Sequence, residues 1–331
     1  MSNIFNKNLD DNKKDNGFER LAPESTAHPI KTYLTPNYTI NGVDVQEFFI
    51  DESNQGVKFS DLIGLEKEID LIKNEIFITN LEKEFRDSCN ISNSKFILIY
   101  GVPGVGKSYF MEAIKSEFQD FNKDDDCRLI NVKISSIVSS ELNKTEKNIC
   151  SVFEFAKQFE KSILFFDDID LLVSSRLNDS TKSSWVTTFI RMINSLDKNK
   201  QTIVIGATCF PDLIDPAVLS RVDSKIALDL PNSQVIRAFI GDKIGSILEN
   251  QSMLDMLVDR LSGYSMRDLK YFCEKLKESL FKDYMNQKNG TDFENYKIDN
   301  SKIEEALNEV KSSVKESDLN RILSFRKSDD C

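Results

Sequence analysis

Apolar positions recur along this chain in two alternating rhythms. Leu65, Ile69, Ile72 and Ile76 fall three or four residues apart, the spacing that lines one face of a helix. The run FILIY (96–100) is instead continuously apolar, as in a strand covered on both sides. Met111, Ile114 and Phe118 then mark a helix, RLINVKI (128–134) a strand, Ile149, Val152, Phe153 and Ala156 a helix, and SILFF (162–166) a strand. Trp185, Phe189, Met192 or Ile193, and Leu196 make another helical stripe before the strands TIVIGA (202–207) and KIALDL (225–230). Short, doubly apolar strands separated by helices predict an α/β fold: a five-stranded parallel sheet with flanking helices over 57–231. After Pro231 the strands stop, and 235–248, 251–261, 267–284 and 303–310 read as helices of a small all-α unit spanning 232–331.

The N-terminal stretch has neither rhythm. Residues 1–30 are rich in Asn, Asp and Lys and are expected to form a disordered tail. Within the short segment 31–56, YTINGVDV sets Asn41-Gly42 between Tyr38 and Ile40 on one side and Val43 and Val45 on the other, a hairpin signal. Phe48, Phe49 and Ile50 follow and need a surface to pack against. There is no internal repeat.

Composition narrows the chemistry. A net charge of −11 with no basic block disfavours a nonspecific grip on nucleic acid or an anionic membrane. The six cysteines (Cys89, Cys127, Cys150, Cys209, Cys273, Cys331) lack metal-ligand spacing, and His28 is the only histidine, so a zinc site or a Cys-His nucleophile has little to draw on. No apolar run has the length of a signal sequence or a membrane span, and the expected compartment is the cytoplasm, with thiols reduced.

The chemistry concentrates in ILIYGVPGVGKSYFMEAI (97–114), where a strand runs through a glycine-rich turn into a helix. Gly101, Gly106, Lys107 and Ser108 satisfy G-x-x-x-x-G-K-[ST]. In such a loop the glycines let backbone N–H groups converge on phosphates, and the helix adds its positive N-terminal end. Lys107 is expected to reach the β and γ oxygens and the Ser108 hydroxyl to ligate Mg²⁺, with Gly104, Val105 and Tyr109 completing the nucleotide contacts. ILFFDDID supplies the second half: a strand ending in acid sets Asp167 beside that loop as the outer metal ligand, and Asp168 as the group that polarises the attacking water. Asp170 is expected to be structural.

With these residues in place, the chain from about Val57 to Phe325 resembles a single module of the AAA ATPase family, in the AAA clade proper. VKFSDLIGLE is similar to the family's entry segment, whose backbone around Leu62, Ile63 and Gly64 meets adenine. GATCFPDLIDPAVLSR resembles the sensor 1 strand and the arginine-finger segment, LSGYSMRDLKYFCEKL the lid helix carrying sensor 2, and IEEALNEVKSSVKESDLNRILSF the clade's C-terminal helix pair. The resemblance implies ATP and Mg²⁺, and a homo-oligomeric ring, usually a hexamer, with sites between subunits. It places Arg221 at an arginine-finger position, directed at a neighbour's γ-phosphate. Arg267 stands where the clade usually has a small residue, and either acts from the lid on the same phosphates or makes an ion pair on the helix surface.

Three positions depart from the family pattern. Asp168 stands where the family usually has Glu, which withdraws the carboxylate by over an ångström. Cys209 occupies the sensor 1 asparagine position, with Thr208 beside it as a partial substitute. Glu141 falls where chain-threading members carry an aromatic in the pore loop, so threading by the usual route is not expected. The sequence therefore predicts a slow Mg²⁺-dependent ATPase that remodels an unidentified protein partner, the alternative being a nucleotide-gated assembly scaffold with little turnover.

Overall fold

A computed structural model describes residues 18–20, 37–40, 43–47, 56–77, 95–121, 127–175, 180–196, 201–286 and 297–329. Five strands run parallel: β4 (Phe96–Tyr100), β5 (Cys127–Val132), β6 (Lys161–Phe166), β7 (Gln201–Thr208) and β8 (Ser224–Ala227). They belong to a sheet of eight, because β1 (Phe18–Arg20), β2 (Asn37–Ile40) and β3 (Val43–Glu47) extend it antiparallel beyond β5, in the order β1-β2-β3-β5-β6-β7-β4-β8.

The predicted hairpin is thus present, with Ile40 opposite Val43 across a two-residue connection. The connection itself, Asn41-Gly42, lies outside the described residues, as do Phe48, Phe49, Ile50, His28, Cys89 and Cys331. Within the stretch expected to be a tail, Phe18–Arg20 pair with β2, while 1–17 and 21–30 lie outside the described residues. Backbone donors and acceptors on a hairpin's open side can pair with a neighbour whatever its side chains, so polar composition alone does not exclude a strand.

The parallel strands are apolar throughout because both faces are covered. Phe96, Leu98, Leu164, Phe166 and Val204 point to one face, where Val152, Phe153, Val186 and Phe189 meet them from α4 (Lys144–Ala156) and α6 (Ser180–Asn194). The alternate residues Ile97, Ile99, Ile163, Phe165, Ile203 and Ile205 face α1 (Glu66–Phe77) and α2 (Lys107–Phe121). Short helices α3 (Ile134–Ile137), α5 (Asp170–Val173) and α7 (Pro216–Leu219) fill the connections.

Past Pro231, Asn232 caps the first helix of the all-α part by accepting from the N–H groups of Gln234 and Val235. Helices α8 (Ser233–Ile244), α9 (Gln251–Arg260), α10 (Met266–Asn286) and α11 (Asn300–Glu309) enclose a separate core around Leu257, Leu269, Phe272 and Leu276. The last helix, α12 (Glu316–Asp329), returns to the sheet: Ile322 and Phe325 join its core, Phe325 sits edge-on to Tyr100 at 5.2 Å, and Arg326 pairs with Asp229.

Candidate functional site

Strand order decides what meets at the sheet's C-terminal edge. β6, β7 and β4 are consecutive neighbours, so the residues that follow them, Asp167, Cys209 and Gly101, emerge side by side. The turn after β4 needs its glycines. Gly104 and Gly106 have φ of 83° and 106°, and a Cβ at Gly101 would stand 2.3 Å from the carbonyl oxygen of Leu228.

Lys107 opens α2 and is buried, and its ammonium is held across the turn. Nζ donates to the carbonyls of Gly101 (2.9 Å) and Val102 (3.2 Å) and to Sγ of Cys209 (3.0 Å). The Ser108 hydroxyl lies 3.4 Å from Oδ2 of Asp167, whose Oδ1 accepts from the N–H of Asp168 at 3.1 Å. Asp168 takes a φ of 51°, a left-handed conformation that aspartate tolerates better than most residues. Burial, reinforced by the charge of Asp168, pushes the Asp167 carboxyl above its ordinary range. A cation beside the pair would relieve both effects.

Thr208, expected as a partial substitute for the sensor, is held within the fold. It is fully buried, its hydroxyl donates to Asp170, and the same oxygen accepts from the N–H of Phe210 at 2.8 Å. This ties the end of β7 to the acidic turn after β6, which gives Asp170 the structural part anticipated. Burial raises the Asp170 carboxyl, and the Thr208 hydrogen bond partly offsets it.

The all-α part closes on the glycine turn. The N–H of Arg267 donates to the carbonyl of Gly104 at 3.1 Å, and a Cβ at Gly104 would meet Ser265 Oγ at 2.7 Å and Arg267 Cβ at 3.2 Å. Leu62 is buried and Ile63 exposed; Gly64, with φ of 76°, leaves room for Val235, whose Cγ2 a Cβ there would reach at 2.2 Å. Val105 is buried and Tyr109 about half exposed on the first turn of α2.

Arg221 is not drawn into this cluster. Its Nη1 donates to the Ala217 carbonyl (2.6 Å) and to Ser220 Oγ (3.1 Å), both in its own turn. Glu141 lies on the loop before α4, paired with Lys144, next to a Leu142 that is 91% exposed.

Comparison with known proteins agrees with this geometry. The profile of the ATPase family associated with various cellular activities (AAA) matches residues 97–230, from β4 to the end of the α/β part. Residues 97–230 match an AAA ATPase module. Among curated relatives, a Corynebacterium glutamicum "AAA ATPase forming ring-shaped complexes" is 27% identical over 63% of this chain and 42% of its own length. The "ATPase histone chaperone YTA7" of Saccharomyces cerevisiae is 31% identical over 66% of this chain and 16% of its own. The "Outer mitochondrial transmembrane helix translocase" of Danio rerio is 26% identical over 74% of this chain and 66% of its own. The chain thus spans less than half the length of the first two. Among the described residues of the module, no helix is long and apolar enough to cross a membrane.

One group in the module escaped the sequence reading. Asp268 is buried, and its Oδ2 accepts from the N–H of Ser265 (3.0 Å), the N–H of Ser313 (3.1 Å) and the Ser313 hydroxyl (3.0 Å). Ser265 Oγ accepts in return from the N–H of Asp268 at 3.2 Å. The signal was available as a capping box, Ser265-x-x-Asp268, at the start of α10.

Proposed function

We propose that the module binds Mg·ATP on the Gly101–Ser108 loop and hydrolyses it slowly, within a ring of like subunits that remodels a protein partner. One observation carries the reading: the Lys107 ammonium, the Ser108 hydroxyl and the Asp167 carboxylate converge on a single glycine turn at a helix N-terminus. Ser108 and Asp167 offer hard oxygen donors, the kind Mg²⁺ prefers when phosphates supply the rest. Bound there, the metal supplies charge neutralisation at the β and γ oxygens.

The side chains divide the remaining work. An arriving triphosphate replaces the carbonyls and thiol that now hold Lys107, and backbone N–H groups of Gly104, Val105 and Gly106 surround it. Asp168 orients the attacking water. Leu62 and Ile63 flank the base, with Tyr109 at its edge, and Arg267 stands on the lid side of the phosphates. Arg221, whose bonds stay within its own turn, suits donation across a subunit interface to a neighbour's γ-phosphate. The ring-forming relative and the two relatives named for a chaperone and a translocase support assembly and a protein substrate.

Slow turnover follows from the short reach of Asp168 and from the Cys209 thiol, a weak partner for water. The contact between Cys209 and Lys107 also favours a second reading, in which ATP closes the assembly and hydrolysis merely resets it. Steady-state ATPase rate measured against protein concentration separates the two. Turnover per subunit that climbs with concentration is expected for shared sites; none at any concentration leaves the scaffold.

A further inference from the structure

A thiol and an amine meet at the phosphate-loop lysine. Lys107 Nζ and Cys209 Sγ are 3.0 Å apart, within range of a bond once the sulfur becomes electrophilic. Both ends are fixed. Two backbone carbonyls hold the ammonium, and Cys209 follows the fully buried Thr208, which is tied to Asp170 and to the Phe210 N–H. Cys209 is half-buried, so a small oxidant has access. Cys273 shows the contrast: it is buried, and burial pushes its thiol up to about 12, which leaves it inert.

We propose that Cys209 and Lys107 are a redox modification site, joined by hydrogen peroxide into a reversible sulfur–nitrogen cross-link that shuts the phosphate loop. In the first step the Cys209 sulfur attacks one peroxide oxygen and the O–O bond breaks. Sulfur is oxidised by two electrons to the sulfenic acid, and the other oxygen leaves as water with the thiol proton. In the second step the Lys107 ammonium gives a proton to solvent and the free amine attacks the sulfur. The N–S bond forms, the S–O bond breaks, and hydroxide departs with the second amine proton as water. A thiol reductant reverses the product by attacking sulfur and releasing the amine. That this modification silences the protein rests on the proposed role of Lys107 in binding ATP; the cross-link itself does not.

Mass spectrometry tests it directly. Nucleotide-free protein is treated with hydrogen peroxide, digested with trypsin and sequenced. The expected product joins the peptide bearing Lys107 to the peptide bearing Cys209, lighter by two hydrogens, uncut after Lys107 and released by dithiothreitol. Mg·ATP present during oxidation should suppress it by drawing Lys107 onto the phosphates. Cys209→Ser should form no cross-link and keep its own untreated ATP affinity after peroxide. Cys209 recovered with two or three added oxygens beside a normally cleaved Lys107, or recovered unmodified, overturns the proposal. If untreated protein binds no ATP, the functional reading fails while the cross-link is still read by mass. If it binds ATP and no cross-link forms, this inference alone fails.

Discussion

Asp268 offers a test of how the lid is fastened beside the phosphate loop. Its Oδ2 takes three donors, two from Ser313 and one from Ser265, while Ser265 and Arg267, both just before it in the chain, lie against Gly104. Asp268→Ala strands the buried Ser265 N–H, while the N–H and hydroxyl of the exposed Ser313 lose their acceptor but can turn to water. Because hydrogen bonds to a charged group are worth more than neutral ones and water can replace those from Ser313, the expected loss is about 2 kcal/mol, or roughly thirtyfold in the local opening equilibrium. Asp268→Asn should lose only about 1 kcal/mol, since an amide oxygen can take the place of Oδ2 and leave the NH₂ facing outward.

The pH dependence has a definite sign. Burial pushes the Asp268 carboxyl up, but donors from Ser265 and Ser313 outweigh it and hold the group below its ordinary 3.8. A carboxyl lowered in the folded state adds stability above its unfolded value and loses it as pH falls through the folded one. The wild-type advantage over Asp268→Asn should therefore be full at neutral pH and fade below about pH 4. Amide hydrogen exchange at Ser265 and Ser313, with urea unfolding followed by circular dichroism, reads both effects. An alanine variant exchanging within about threefold of wild type at both amides, a difference of under 1 kcal/mol, would refute the reasoning.

Other perturbations separate the parts of the proposed site. Lys107→Ala should abolish ATP binding with the fold intact by circular dichroism; retained micromolar affinity would put the site elsewhere. Arg221→Ala should still bind ATP yet lose about a thousandfold in turnover, and mixing it with Lys107→Ala should restore part of the rate if the arginine acts in trans. Asp168→Asn should bind ATP and hydrolyse almost none. Asp168→Glu should run about tenfold faster if reach is what limits the rate, so a slower glutamate variant would show that the pocket is built around aspartate. Phe325→Ala removes a ring that is 7% exposed and packed against Tyr100, and should cost about 3 kcal/mol in urea unfolding.

Some of this could be read from the sequence because it is local. Continuous apolar runs such as FILIY and SILFF report strands covered on both faces, and that is how β4 and β6 sit. The glycine turn and the acids after β6 were legible because each lies within a few residues of a strand end. What stayed hidden depends on distant pairing. Asn41-Gly42 announces a hairpin, but nothing in it says that β3 will dock antiparallel on β5, with Val45 opposite Val132. The thiol of Cys209 meets Lys107 only because β7 and β4 are neighbours, and the tie between Thr208 and Asp170 needs β6 beside β7. Arg221 is legible as a motif, yet its present bonds do not extend past its own turn.

The sheet's width has a consequence for how safely this chain can crowd against copies of itself. Its inner parallel strands β4 to β7 run five to eight residues and are strongly apolar, the sort of segment that templates misassembly when its edge is bare. The two outermost strands are β1, of three residues, and β8, of four. By adding the hairpin and β1 beyond β5, the N-terminal segment moves the edge of the described sheet from a six-residue strand to a three-residue one that carries Glu19 and Arg20. In the proposed ring, subunits at high local concentration would then meet through side chains, with little open backbone among the described strands on which a neighbour's strand could grow.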